Sequence, residues 1–203
     1  MATLARNLGG QIASTLRGEI LVGSIDAGVH LQESNLAARF GVSRGPVRDA
    51  LLELSKEGFV VPQARGCVVA ASAPHSIQAF VLPIRRTVEC YALDLAFDSL
   101  KDECFQAWDQ ILAAMRRASL SRDEVMIVEQ DIAFHRSILT MADQSDLLAI
   151  WTTIVSRIRS YFLDGCRRYA DPMEQYAEHV ELIRIFREGD KTNAVKALEA
   201  HIK

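Results

Sequence analysis

"GVSRGPVRDALLELSKEG", residues 41–58, decides the fold. Read as a helix, it starts at Ser43, a residue type that caps helix N-termini. Pro46 falls in the first turn, where a missing N–H has no intrahelical acceptor to lose. Val47, Ala50, Leu51 and Leu54 recur at helical spacing to make an apolar face, and Gly58 supplies the stop. Arg44 and Arg48 lie one turn apart at the positive end of the helix dipole, where cations are disfavoured, so local stability does not explain them. An anion outside the chain would.

The flanking sequence gives that helix a setting. A short helix from about Glu33 to Phe40, with Leu36, Ala37 and Phe40 inward, runs into the tight Gly41-Val42 corner, and two helices joined in this way form a helix-turn-helix. Upstream, Leu8, Ile12, Leu16 and Ile20 recur every four residues on a helix ending near Val22-Gly23, and "GSIDAGVH" reads as a turn. Downstream, "FVV" (59–61) and "CVVA" (67–70) flank "PQARG", a β-hairpin or wing with Arg65-Gly66 at its tip. A helix entering the major groove by its N-terminus would bring Arg44 and Arg48 to phosphates and base edges. Gly45 would let the backbone come close, Ser43 would both cap the helix and donate to a phosphate, and Arg65-Gly66 would suit the minor groove or the sugar-phosphate backbone. The competing reading leaves the arginines solvated, with Arg48 paired to a nearby carboxylate; helix-turn-helix spacing plus a wing favours DNA.

The stretch "HLQESNLAARFGVSRGPVRDALLELSKEGFVVPQARGCVV" closely resembles the winged helix-turn-helix of the GntR family of bacterial transcription regulators, over roughly residues 8–70. The resemblance implies that Ser43, Arg44, Gly45 and Arg48 are recognition-helix contacts, that Arg65 and Gly66 act at the wing, and that Ser34 and Arg39 flank them. Position 45 is Gly where many members carry Thr or another contacting side chain, which leaves more of the readout to the two arginines.

Bulk composition agrees with a globular regulator. The chain has 203 residues, 49% hydrophobic and 24% charged, enough for a real core in one large or two small domains. No apolar run is long enough to span a bilayer and the N-terminus lacks the pattern of a secretory signal, so no membrane role and a cytoplasmic location are expected. The four cysteines lie far apart without a CxxC pair and are expected to be reduced. The formal charge of −3 hides a split: residues 1–71 carry seven Lys+Arg against six Asp+Glu, leaving 16 against 20 for the rest. Six of those seven cations are arginine, which assigns any nucleic-acid contact to the first third.

From Ser72 the character changes. "ASAPHS" reads as a linker, and helical patterns follow near 76–97, 102–118, 121–142, 146–168, 172–188 and 190–202, with almost no strand signal. The expected fold is mainly α: a winged helix-turn-helix of three helices and a hairpin over 1–71, a linker at 72–76, and an all-α bundle of six or seven helices over 77–203.

Within the bundle, Asp131 and His135 are spaced i, i+4 and share a helix face, while His179 and His201 lie on two other helices. One Asp and three imidazoles would suit Zn²⁺, Ni²⁺ or Mn²⁺, although spacing alone leaves open that the three histidines are unrelated. "DIAFHRSI" and "EHVELIRIFREGDKTNAVKALEAHI" resemble the metal-site pattern of the FCD domain, the helical ligand-binding half of FadR-type GntR regulators. That resemblance implies one divalent metal per chain on Asp131, His135, His179 and His201. "IRRTVECYALDLA" resembles the first FCD helix, which would aim Arg85 at an effector carboxylate; the alternative is a bridge from Arg85 to Glu89 on its own helix, and both roles can coexist. Pro83 is expected to start or kink that helix, and His201, two residues from the last, sits where a helix frays. Trp108 and Trp151 read as packing residues. The chain therefore reads as a transcription regulator, a repressor, binding a palindromic double-stranded operator as a homodimer and sensing a small organic acid at the metal site. A metalloenzyme built on the Asp/His₃ set is the alternative from another class, disfavoured because no HExxH accompanies it, and a purely structural metal in a DNA-binding protein is a third reading.

Overall fold

The computed structural model describes residues 2–71 and 74–203, with the side chains of 8–71, 74, 76, 77, 79–158 and 161–203. The order of elements is α1 (Ala2–Leu21), β1 (His30–Leu31), α2 (Glu33–Phe40), α3 (Arg44–Lys56), β2 (Val60–Gln63), β3 (Gly66–Val69), α4 (His75–Ala96), a 3₁₀ turn (Phe97–Ser99), α5 (Asp102–Ser121), α6 (Glu124–Met141), α7 (Ser145–Cys166), α8 (Pro172–Arg187) and α9 (Lys191–His201). It divides into two compact units, one of residues up to 71 together with 155–160, the other of 74–154 with 161–203. Ser72 and Ala73 of the expected linker lie outside the described residues, and α4 already begins at His75.

In the first unit the apolar stripe of α1 packs on α3. Ile12, Leu16, Val47, Ala50 and Leu54 are all buried, as their helical spacing requires. Phe40, expected inward, is only half-buried and lies beneath the Arg39 guanidinium, 4.9 Å from the ring centroid. Gly41, in the left-handed region at φ 65°, terminates α2 and turns the chain into α3. The hairpin is present, with Val60 opposite Val69 and Gln63 opposite Gly66, but it belongs to a three-stranded antiparallel sheet of order β1-β3-β2. The third strand begins at the last residue of the stretch read as a turn: His30 and Leu31 pair with Val68 and Cys67. Two residues are too few to show alternation, so only the pairing reveals the strand.

The second unit is helical throughout. Trp108, Phe134 and Phe186 form its aromatic centre, with Trp108 5.8 Å from Phe134 and 5.5 Å from Phe186 between ring centroids. Helix α4 does not start at Pro83; it begins at His75 and continues through the proline. Helix α7 differs in the other direction. Expected to be continuous, it breaks helical geometry at Ile158 (φ −113°, ψ 15°), with neither Pro nor Gly at that position to mark the break. The four cysteines are free, and among the described residues no helix is long and apolar enough to cross a membrane.

Candidate metal centre and nucleic-acid interface

Each ligand-bearing helix of the second unit is started by an aspartate cap. Asp123 accepts from the Met126 amide at the head of α6, Asp171 from Met173 at α8, and Asp190 from Asn193 at α9. These starts set the rotational phase that turns Asp131 and His135 of α6, His179 of α8 and His201 of α9 inward. One potential ligand atom from each of the four lies within 4.8 Å of every other. Phe134 backs the group, 5.3 Å from His135 and 5.2 Å from His179 between ring centroids.

The groups behind the rings decide which nitrogen faces inward. His179 Nδ1 donates to the Gln175 carbonyl at 2.9 Å, which turns Nε2 toward the centre of the site. That Nε2 is 3.0 Å from Asp131 Oδ1 in a buried site. His135 Nδ1 lies 2.6 Å from Glu89 Oε2, which leaves its Nε2 directed toward Asp131 Oδ1 at 3.9 Å. Imidazole nitrogens and a carboxylate oxygen so placed can share a proton, and they are also the donor atoms a divalent ion would take as ligands. Burial pushes the Asp131 carboxyl up, but His179, His135 and Arg85 together hold it well below the ordinary carboxylate range. Burial, with His179 and His135 beside it, keeps His201 far below the ordinary imidazole value and therefore neutral, the form that ligates.

Glu89 joins this site to the first helix of the unit. Its Oε1 accepts from Arg85 Nε at 2.6 Å and from Trp151 Nε1 at 2.5 Å, while Oε2 faces His135. Burial raises its pKa, and Arg85, His135 and Trp151 more than offset that, holding it at about 2. The bridge expected as the alternative for Arg85 is thus made, and only Nε is used in it; the guanidinium lies over Phe162, 4.5 Å from the ring centroid. Arg85, the four candidate ligands, Tyr169 and Arg168 all line one cavity of about 250 Å³. Neither Glu89 as the orienter of His135 nor Trp151 as its donor was legible beforehand, because both partners arrive from other helices. The last turn of α9 is tied down: the Ile202 carbonyl accepts from Arg86 Nη2 at 2.6 Å, and Ile202 itself is buried.

In the first unit, Ser34, Arg44, Arg48, Arg65 and Gly66 share one cleft between the start of α2, the start of α3 and the wing tip. Ser43 occupies the N-cap position, but its side chain makes no capping bond; Ser43 and Gly45 are both exposed there. Arg39 lies elsewhere, in a bidentate pair with Glu19 of α1. Gly66 is required by the sheet itself: at φ +99° a Cβ would sit 2.2 Å from the Leu31 carbonyl oxygen of β1. Arg48 is not loose, since its Nε and Nη2 donate to the two carboxylate oxygens of Glu33 at 3.1 and 2.9 Å. Glu33, fifteen residues away, is brought there only by the helix-turn-helix corner.

Two family models account for most of the chain: residues 8–69 match "Bacterial regulatory proteins, gntR family" and residues 81–203 match the FCD domain. The chain belongs to the GntR family, in its FCD-domain branch. Its similarity to other GntR regulators runs nearly end to end. It is 28% identical over 195 residues to the gluconate operon transcriptional repressor of Bacillus licheniformis, covering 94% of this chain and 80% of that one. It is 26% identical over 201 residues to the HTH-type transcriptional repressor RspR of Escherichia coli, covering 95% and 85%. Escherichia coli McbR/YncC has the same fold, with a TM-score of 0.69 at 20% identity over 96% of this chain and 93% of that one. This GntR member is a ligand-responsive DNA-binding transcription regulator and not an enzyme.

Proposed function

We propose that the chain is a repressor that binds a palindromic operator as a homodimer and senses a small carboxylate beside a divalent metal. Residues 1–71 would contact DNA through Ser34, Ser43, Arg44, Gly45, Arg48, Arg65 and Gly66, with Arg39 a flanking residue that must first leave Glu19; residues 77–203 would sense, and 72–76 would join the two. The observation that carries the sensing half is the facing of His179 Nε2 and Asp131 Oδ1 at 3.0 Å in a cavity that Arg85 also lines. Three imidazole nitrogens and one carboxylate suit Zn²⁺, Ni²⁺ or Mn²⁺. Such an ion, when bound, supplies positive charge and further coordination positions for an anionic oxygen. Arg85, fixed by Glu89 through Nε, keeps its two Nη groups for the effector carboxylate.

The names of the repressor relatives support repression. Dimerisation rests on two points. One recognition helix reads too few base pairs for genomic specificity, so two half-sites are needed. A stripe of Ile77, Phe80, Ile84, Tyr91 and Leu95 also lies exposed along α4, an apolar face that a second copy would cover. A cytoplasmic location follows from the partner DNA.

Thermal unfolding of the full-length chain tests the sensing reading. The metal-stripped protein is compared with protein in Zn²⁺, Ni²⁺ or Mn²⁺, each with and without a panel of monocarboxylic, dicarboxylic and hydroxycarboxylic acids. Metal is expected to raise the midpoint, and one class of acid to raise it further only when metal is present. A rise with metal that no acid extends would favour a purely structural ion.

A further inference from the structure

The carboxylate of Glu33 stands in the cleft that would face DNA, among Arg44, Arg48 and Arg65. Opposite a polyanion, a carboxylate costs affinity, so a cationic surface optimised for attraction alone would not carry it. Its geometry shows what it does instead. Glu33 takes the Nε–Nη2 edge of Arg48 with both oxygens, and Arg48 has no other ion pair among the described residues. A guanidinium has five N–H groups in a rigid fork. With one on Nε and one on Nη2 committed, both hydrogens of Nη1 and one of Nη2 remain, which is the end-on fork that matches guanine O6 and N7.

We propose that Glu33 is a positioning residue for sequence reading: by gripping the side edge of Arg48 it presents the end-on fork to a base and denies the side edge to phosphate. This rests on Arg48 contacting DNA, as proposed above. Orienting the side chain before binding removes rotamer freedom that recognition would otherwise have to freeze. Occupying the edge that phosphate would use weakens every sequence, while the fork still rewards the right one, and the difference is specificity.

The test uses the full-length protein and a duplex consensus recovered by wild-type selection from a random-sequence library, with poly(dI-dC) as the non-specific probe. For Glu33→Gln, affinity for poly(dI-dC) is expected to rise with a salt dependence steeper by about one ion. The preference for the consensus is expected to fall by about tenfold, with the loss concentrated at the base pair whose preference Arg48→Ala also erases. Glu33→Asp keeps the charge but is one methylene too short for both contacts. It is expected to hold poly(dI-dC) affinity near wild type and still lose discrimination at that base pair, which separates aim from charge. The proposal is overturned if both Glu33 variants keep wild-type discrimination while Arg48→Ala weakens consensus binding. Equal loss of both affinities together with a lower melting midpoint overturns it as well, since that is the signature of a merely structural contact. If Arg48→Ala leaves binding unchanged, the DNA reading of Arg48 fails, and the role of Glu33 with it.

Discussion

At the scale of single residues, Glu89 does the most with one side chain. It holds Arg85, receives Trp151 and orients His135, all from full burial. Replacing it with Gln removes the charge that Arg85 and His135 face, and breaking such a buried pair costs about 3–5 kcal/mol. Glu89→Gln should therefore lower the melting midpoint. It should also weaken metal binding by about 10–100-fold, the usual cost of losing the group behind a ligating imidazole, as read by competition with a chromogenic chelator. Gly66 makes the opposite kind of demand, on backbone rather than charge. Gly66→Ala must either move the Leu31 carbonyl or leave the left-handed region, so the pairing of β1 with β3 should open, with faster exchange of the Val69 amide, which donates to the Val29 carbonyl, and weaker DNA binding. Glu89 was visible in the sequence only as a partner four residues from Arg85, and Gly66 only as a residue allowing close approach to DNA. The reasons that bind them lie 46 and 35 positions away, at His135 and Leu31, where no local pattern reaches.

At the scale of elements, the candidate site is an intersection of three capped helices. Helix α9 has 11 residues, below the length at which a helix is stable alone, so its start and its docking decide whether His201 is presented. Asp190→Ala removes the bond to the Asn193 amide and should cost about 1 kcal/mol, with metal affinity falling alongside stability; Asp190→Ser should restore both. Arg86 secures the other end by bonding the Ile202 carbonyl, a tie that opposes the fray anticipated from the position of His201. These helix boundaries were nearly all legible from Asp, Pro and Gly punctuation. The break at Ile158 was not, because backbone geometry of that kind leaves no residue-type signature here.

At the scale of the whole molecule, a metal bound by the folded state alone adds stability by mass action. Zn²⁺ at about 100 times its dissociation constant should add about 2.7 kcal/mol, reversed by a chelator, in calorimetry of the full chain. The exposed stripe on α4 makes a separate prediction. Phe80, 68% exposed, is held only lightly by its present surroundings, so Phe80→Glu should leave the melting midpoint of the isolated chain nearly unchanged while shifting sedimentation toward monomer and weakening operator binding.

What the sequence determined by itself were the features written in short-range pattern: the helix-turn-helix, the wing, the helical second half, and the residue types able to ligate a metal or meet a phosphate. Helical periodicity, caps and turn residues act over a few positions, so they can be read without knowing what packs where. What tertiary structure alone decided were the pairings across long separations: the third strand, the two imidazole nitrogens turned on Asp131, Glu89 behind His135, and Glu33 on the flank of Arg48. Such pairings depend on the angles at which whole helices cross, which are set by the packing of the entire core and by no single stretch within it.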